Sequence, residues 1–185
     1  MQIPDYVVGD NHLLLEKFRE MDYLASERYH LPVELMMENA GLQLARLIVY
    51  SLPTGGRVLI GIGPGNNGGG GLVAARRLAC WGYRVFLDIP VPELSELPLK
   101  QLERALAVKV RKNPSNEPDL FVDAYLGFSQ RFPLSEEFRQ SIEKGNRYSC
   151  TKISLDIPGI IYSHFGIQQP DQFKHYGILN CIVDS

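Results

Sequence analysis

The chain has 185 residues, 45% of them hydrophobic, and a formal net charge of -2, enough apolar material for one core that hides roughly 70% of the unfolded surface. Its 19 Lys and Arg are scattered among 21 Asp and Glu, so there is no basic footprint for nucleic acid, and a small-molecule or protein partner is expected. Cys80, Cys150 and Cys181 lack CxxC spacing, which argues against a disulfide framework or a zinc site. No basic and apolar leader opens the chain and no apolar run approaches the roughly 20 residues of a membrane span, so one domain over 1–185, in a reducing cytoplasm and off the membrane, is expected.

In chain order, residues 12–30 carry Leu14, Phe18, Met21, Leu24 and Ala25 at three- and four-residue spacings, the stripe of an amphipathic helix. Pro32 opens a second helix, apolar on most sides and ended by Pro53, Gly55 and Gly56, which suggests burial against a sheet. The β-branched run 57–63 reads as a buried strand, and after a glycine-rich stretch a helix runs from Leu72 to Gly82. Residues 83–90 read as a second strand, 94–108 as a helix interrupted by Pro98, and 107–110 as a third strand. A fourth strand is expected at 121–127, a helix at 136–146 ending at Gly145, a fifth strand at 152–159, and a last one within 177–185. Strands alternating with helices at this spacing imply an α/β fold: a Rossmann-like three-layer sandwich, its central sheet mostly parallel, with right-handed crossovers and helices on both faces.

Seven glycines crowd into 61–71, GIGPGNNGGGG, between a strand and a helix. Glycine lets backbone N–H groups turn inward and a helix start adds partial positive charge, so together they solvate phosphate oxygens. The competing reading is a tight turn that binds nothing. No Gly-Lys-Ser/Thr follows, so a P-loop is excluded. Asn66 and Asn67 add uncharged acceptors and donors suited to a cation or a ribose-phosphate.

The segment Gly63-Pro-Gly-Asn-Asn-Gly-Gly-Gly-Gly71 resembles the GxGNNGGDG signature of YjeF N-terminal domains. Met37-Glu-Asn-Ala-Gly41 is similar to that family's MENAG, Arg19-Glu-Met-Asp22 to its opening-helix motif, Val122-Asp-Ala-Tyr-Leu-Gly127 to its D-A-x-x-G and Leu155-Asp-Ile-Pro158 to its D-I-P-S-G. The resemblance implies repair of nicotinamide cofactors: epimerisation of NADH or NADPH hydrated at C6, so that a dehydratase specific for one epimer can clear both. It implies Asp156 and Asp123 as the catalytic carboxylates, and a potassium ion held by Asn67, Asp123 and the position of Gly159. It also implies substrate contacts from Asn66, Asn67, Gly68, Gly69, Gly70 and Asp156, and from the loop Gly127, Phe128, Ser129, Gln130, Arg131, Phe132 and Pro133, with Arg131 facing a phosphate. Homodimers through the first helices are a further implication. Either aspartate, taken alone, reads equally as a strand-end turn residue.

Two positions depart from the family. Gly70 stands where the signature has aspartate and Gly159 where D-I-P-S-G has serine, and the chain is short at its C-terminal end relative to the family. A second reading therefore stands beside the epimerase: a catalytically degenerate domain that senses a nucleotide or serves as a protein-interaction scaffold, as YjeF-type domains of mRNA-decapping scaffolds do.

Overall fold

A computed structural model describes residues 15–112, 117–127, 133–156 and 182–184 of the chain. Its strands are β1 (Arg57–Ile62), β2 (Arg84–Asp88), β3 (Arg111–Lys112), β4 (Leu120–Ala124), β5 (Thr151–Ser154) and β6 (Ile182–Asp184). Its helices are α1 (Leu15–Glu27), α2 (Val33–Ser51), α3 (Asn66–Cys80), α4 (Glu96–Leu106) and α5 (Glu136–Arg147). They form one sheet in the order β3-β2-β1-β4-β5-β6. Every neighbouring pair is parallel except β5 with β6, which is antiparallel.

This order winds outward from β1 to β3 and then returns to start again at β4. Between β1 and β4 the direction of winding reverses, and in such sheets the crevice above that point, at the carboxyl ends of the strands, takes the ligand. Alternation along the strands feeds two cores. Val58, Ile60 and Ile62 of β1, Val85 and Leu87 of β2, and Leu120, Val122 and Ala124 of β4 face α2, α3 and α4, with Leu44, Ile48, Leu72 and Leu78 filling the layer. Leu59 and Phe121 point to the opposite face, where Phe138 and Ile142 of α5 cover them. Side chains of this size, buried on both faces, contribute roughly 1.5–3 kcal/mol each and make a continuous apolar run in the strands obligatory.

The fourth and fifth strands are Leu120–Ala124 and Thr151–Ser154, shorter than the 121–127 and 152–159 expected, and four further differences have a local reason. α3 begins at Asn66 rather than Leu72, so Gly68, Gly69, Gly70 and Gly71 lie inside the helix and all are buried. The third strand is Arg111–Lys112, not 107–110, because the turn after α4 continues through Lys109, at φ 69. Pro98 sits in the first turn of α4, where its missing N–H costs no hydrogen bond, so the helix is not interrupted. Gly145 lies within α5 instead of ending it, and a Cβ built there would stand 2.5 Å from Cζ of Phe121. Trp81, which reads as a packing residue, is 40% exposed. Among the described residues, no helix is long and apolar enough to cross a membrane.

Candidate functional site

Three segments far apart in sequence converge at the carboxyl rim: the turn from β1 into α3, the end of β4, and the end of β5. The first contact is between backbones. A Cβ built on Gly63 would fall 1.8 Å from the carbonyl oxygen of Tyr125, and one built on Gly68 would fall 2.1 Å from that of Gly63. Only glycine permits either approach. The turn is therefore folded onto the end of β4, with Gly63 N–H donating to the carbonyl of Ala124 at 3.2 Å.

Asn67, in the first turn of α3, joins the other two segments. Its Nδ2 donates to the carbonyl of Leu126 at 2.6 Å and to that of Leu155 at 2.9 Å. Those carbonyls belong to the residues just before Gly127 and Asp156. With the amide nitrogen turned to both, the Oδ1 of Asn67 is left as its acceptor. Asn66, one residue earlier, is exposed.

Asp156 follows β5 at φ 69, a left-handed conformation that aspartate tolerates better than most residues but that still costs energy. It is half-buried, and its Oδ2 lies 3.2 Å from where a Cβ on Gly127 would be, with Cβ of Asn67 at 3.0 Å from the same point. Asn67, Gly127 and Asp156 thus meet around a space that a methyl group would fill. Asp123, the fourth residue of β4, is only 7% exposed. Its Oδ1 accepts from the N–H of Tyr125 at 3.2 Å, and its carbonyl accepts from Leu155 N–H at 2.8 Å, which ties β4 to β5.

The remaining expected positions divide. Gly68, Gly69 and Gly70 are packing positions: built Cβ atoms meet the Gly63 carbonyl, Cε of Met37 at 2.5 Å and Cδ2 of Leu155 at 3.1 Å respectively. These contacts explain why the positions are glycine; the N–H groups in the first turn of α3, ahead of the Gly69 N–H that donates to Gly65, and the helix dipole together favour an anion. Pro133 is exposed. Phe128, Ser129, Gln130, Arg131, Phe132 and Gly159 lie outside the described residues.

Three polar residues near the site, Tyr125, Asp88 and Glu38, were not singled out from the sequence. Tyr125, 2% exposed, lies across Gly61: a Cβ there would be 2.2 Å from the phenol Cζ. Its hydroxyl donates to Oδ2 of Asp88, the last residue of β2. Burial, and then the charge of Asp88, push the Tyr125 hydroxyl well above its ordinary pKa, so it stays a neutral donor. Glu38, the acid of the MENAG segment, receives Arg76 at 2.5 Å and Arg77 at 2.7 Å, with Gln101 Nε2 at 3.4 Å. Burial works to raise the Glu38 carboxyl, but hydrogen bonds and charge from Arg77 and Arg76 outweigh it and hold the group below the usual value. This network fastens α2, α3 and α4 behind the site. A strand-ending aspartate twenty residues after the glycine turn was the one signal that could have found Asp88.

The bifunctional NAD(P)H-hydrate repair enzyme Nnr of Thermofilum pendens is 36% identical over 168 residues, 82% of this chain and 32% of that protein. The NAD(P)H-hydrate epimerase of Entamoeba histolytica is 37% identical over 153 residues, 80% of this chain and 69% of that protein, and that of Rhodopirellula baltica is 33% identical, covering 77% and 63%. The chain thus spans about a third of the bifunctional protein and about two thirds of the two epimerases. The crystal structure of the yeast protein ynu0 (YNL200c) superposes with a TM-score of 0.70 at 25% identity, over 80% of this chain and 70% of that one. With residues 33–169 matched by the family described as YjeF-related protein N-terminus, the chain belongs to that family.

Proposed function

We propose that the domain is an NAD(P)H-hydrate epimerase, interconverting the R and S forms of NADH or NADPH hydrated at C6. The observation that carries this reading is the placement of Asp156: a half-buried carboxylate in strained backbone, beside Gly127 and Asn67, at the carboxyl rim of the sheet. The activity named for the E. histolytica and R. baltica relatives supports it.

The chemistry needs little more than a carboxyl group that can act both ways. The ring nitrogen's lone pair expels the C6 hydroxyl as the carboxyl proton is transferred to it, so the C6–O bond breaks, water leaves and an iminium ion forms. Water then adds to the opposite face and returns a proton to the carboxylate, which restores the acid and inverts the centre. Asp156 takes this role, with Asp123 fixing the adjoining strand end. The pyrophosphate is assigned to the backbone N–H groups in the first turn of α3.

A potassium ion fits the chemistry of the donor set. Asn67 Oδ1 and the carboxylate of Asp123 are hard oxygen donors, and the Asn67 amide is already oriented by its two carbonyl partners. Gly159 has no side-chain oxygen to match the family's serine, so a backbone carbonyl would have to serve. Bound there, the ion would balance charge and order the ends of β4 and β5.

The reading extends to a cytoplasmic homodimer formed through α1 and α2, where Tyr23, Leu35 and Tyr50 are 66%, 55% and 72% exposed. Gel filtration with light scattering tests the dimer.

The second reading is favoured by Gly70: the signature's aspartate is absent and its place is packed near Leu155. A domain without that charge would bind a nucleotide without turning it over. Supplying one pure epimer of hydrated NADH, with potassium present, and following the appearance of the other by chromatography separates the two. Epimerisation above the spontaneous rate, lost in Asp156→Ala, is expected. A folded protein that gives only the background rate, yet is stabilised by nucleotide, establishes the second reading instead.

A further inference from the structure

Asp88 closes β2 at the carboxyl rim, in register with Gly61 of β1, which is in turn in register with Asp123 of β4. Val85 and Leu87 face the helical core of α3, so Asp88 points to the other side of the sheet, toward Tyr125. The phenol can cross β1 only because Gly61 has no side chain. Its hydroxyl donates to one carboxylate oxygen, Oδ2, and thereby fixes the plane of a half-buried side chain. Among the described residues, no Lys, Arg or His forms an ion pair with Asp88. A carboxyl group oriented by a phenol and placed at the rim beside the glycine turn is equipped to accept hydrogen bonds from a diol.

In doubly wound sheets that bind dinucleotides, an acid about 20 residues past the glycine turn accepts from the adenosine ribose 2′-hydroxyl, whereas sheets that take the 2′-phosphorylated form place an arginine nearby. Here Asp88 stands twenty residues after Gly68. The residues that follow, Ile89-Pro-Val-Pro-Glu-Leu-Ser95, contain no Lys or Arg and add a second acid, Glu93. The span also fits: from β2 across β1 and β4 to β5 there are three inter-strand steps of about 4.8 Å, or ~14 Å in all, which an extended dinucleotide bridges with its nicotinamide end at Asp156.

Resting on the epimerase reading for the identity of the ligand, we propose that Asp88 is a specificity-determining residue. It receives the adenosine ribose hydroxyls and repels a 2′-phosphate, so the domain acts on hydrated NADH in preference to hydrated NADPH. Tyr125 is its positioning residue.

The test pairs binding with turnover. Affinities for ADP-ribose and for 2′-phospho-ADP-ribose, neither of which carries nicotinamide, are measured by titration calorimetry, and kcat/KM is measured for hydrated NADH and hydrated NADPH. Loss of hydrogen bonds to a charged acceptor, with a like charge introduced, predicts at least about a 10-fold preference for ADP-ribose and for hydrated NADH. Asp88→Asn, which keeps the shape and removes the charge, should bring both ratios to within about threefold of unity, chiefly through KM. Equal affinities in the unaltered protein, or an undiminished preference in a folded Asp88→Asn, overturn the proposal. Should the variant fail to fold, the wild-type ratios still decide it. A clear preference for ADP-ribose with no turnover of either hydrate upholds Asp88 as the selector and overturns the epimerase reading.

Discussion

Asn67→Ala removes a side chain that ties the start of α3 to the ends of both β4 and β5. Its amide makes two hydrogen bonds, at 2.6 Å to Leu126 and 2.9 Å to Leu155. Each is worth about 1 kcal/mol net, with a further cost because two partly buried carbonyls lose their donor. Against this stands the better helix propensity of alanine in the first turn of α3, about 0.5 kcal/mol. The balance is a loss of about 2 kcal/mol, which for a domain of this size lowers Tm by roughly 4–8 °C. Differential scanning calorimetry reads it directly, with Asn66→Ala as the control because that side chain is exposed. Epimerisation should fall further than stability does, since Asp156 directly follows one of the released carbonyls. Asn67→Asp sharpens the test: it replaces the donor by a negative acceptor facing two carbonyl oxygens, and so should cost more than alanine. Potassium chloride should recover part of that loss where tetramethylammonium chloride does not, if a cation is held there. A Tm for Asn67→Ala within about 1 °C of the parent, or equal shifts for Asn66→Ala and Asn67→Ala, would refute the reasoning.

Glycines of one run should respond oppositely to the same change. Gly68→Ala drives a methyl to within 2.1 Å of a backbone carbonyl and should destabilise by about 2 kcal/mol or more, whereas Gly70→Ala meets only the end of Leu155 at 3.1 Å and should be neutral or gain up to ~1 kcal/mol from helix propensity; urea melts compare them. Asp156→Gly should abolish epimerisation while raising stability by about 1 kcal/mol, because the residue sits at φ 69; a loss of both stability and activity would remove the strain argument. Glu38 has a folded-state pKa below its unfolded value of about 4.3, so its stabilising share is complete above that pH and is lost as the pH falls through the depressed value. Glu38→Gln should therefore melt lower than the parent at pH 6 and approach it below pH 4, and a constant gap across that range would contradict the pairing with Arg76 and Arg77.

The parts of the fold that could be read from sequence were those set by periodicity. The runs at Val58–Ile62 and Leu120–Ala124 are apolar on both faces, which only a covered parallel strand explains, and they lie where the pattern put them. What periodicity cannot supply is the reason for a glycine. In sequence, 68–71 looks like loop; in space Gly69 admits Met37 and Gly71 admits Ala124, so the same residues that weaken a helix locally let α3 sit against α2 and the sheet. The start of α3 was misplaced because tertiary packing overrode propensity. Asp123 and Asp156 were legible as strand-end acids, since open sheets use that position. The double bond from Asn67 was not, because its partners are backbone atoms 59 and 88 residues away and leave no side-chain signature.

That arrangement has a consequence for how such a domain can lose its chemistry. Asn67, Gly63 and Gly68 hold the rim together through backbone contacts, so changes at these positions harm folding as well as binding. Gly70 sits among them yet faces only the tip of Leu155, and a charge there can be lost without disturbing any neighbour. Asn67 therefore testifies to stability as much as to catalysis. Asp156 is different: it is a non-glycine residue at φ 69, where glycine would be less strained. Strained backbone kept beneath a carboxylate that stands beside Asn67 and Gly127 is a cost that the proposed chemistry explains, and for that reason Asp156, rather than the glycine-rich turn, carries the epimerase proposal.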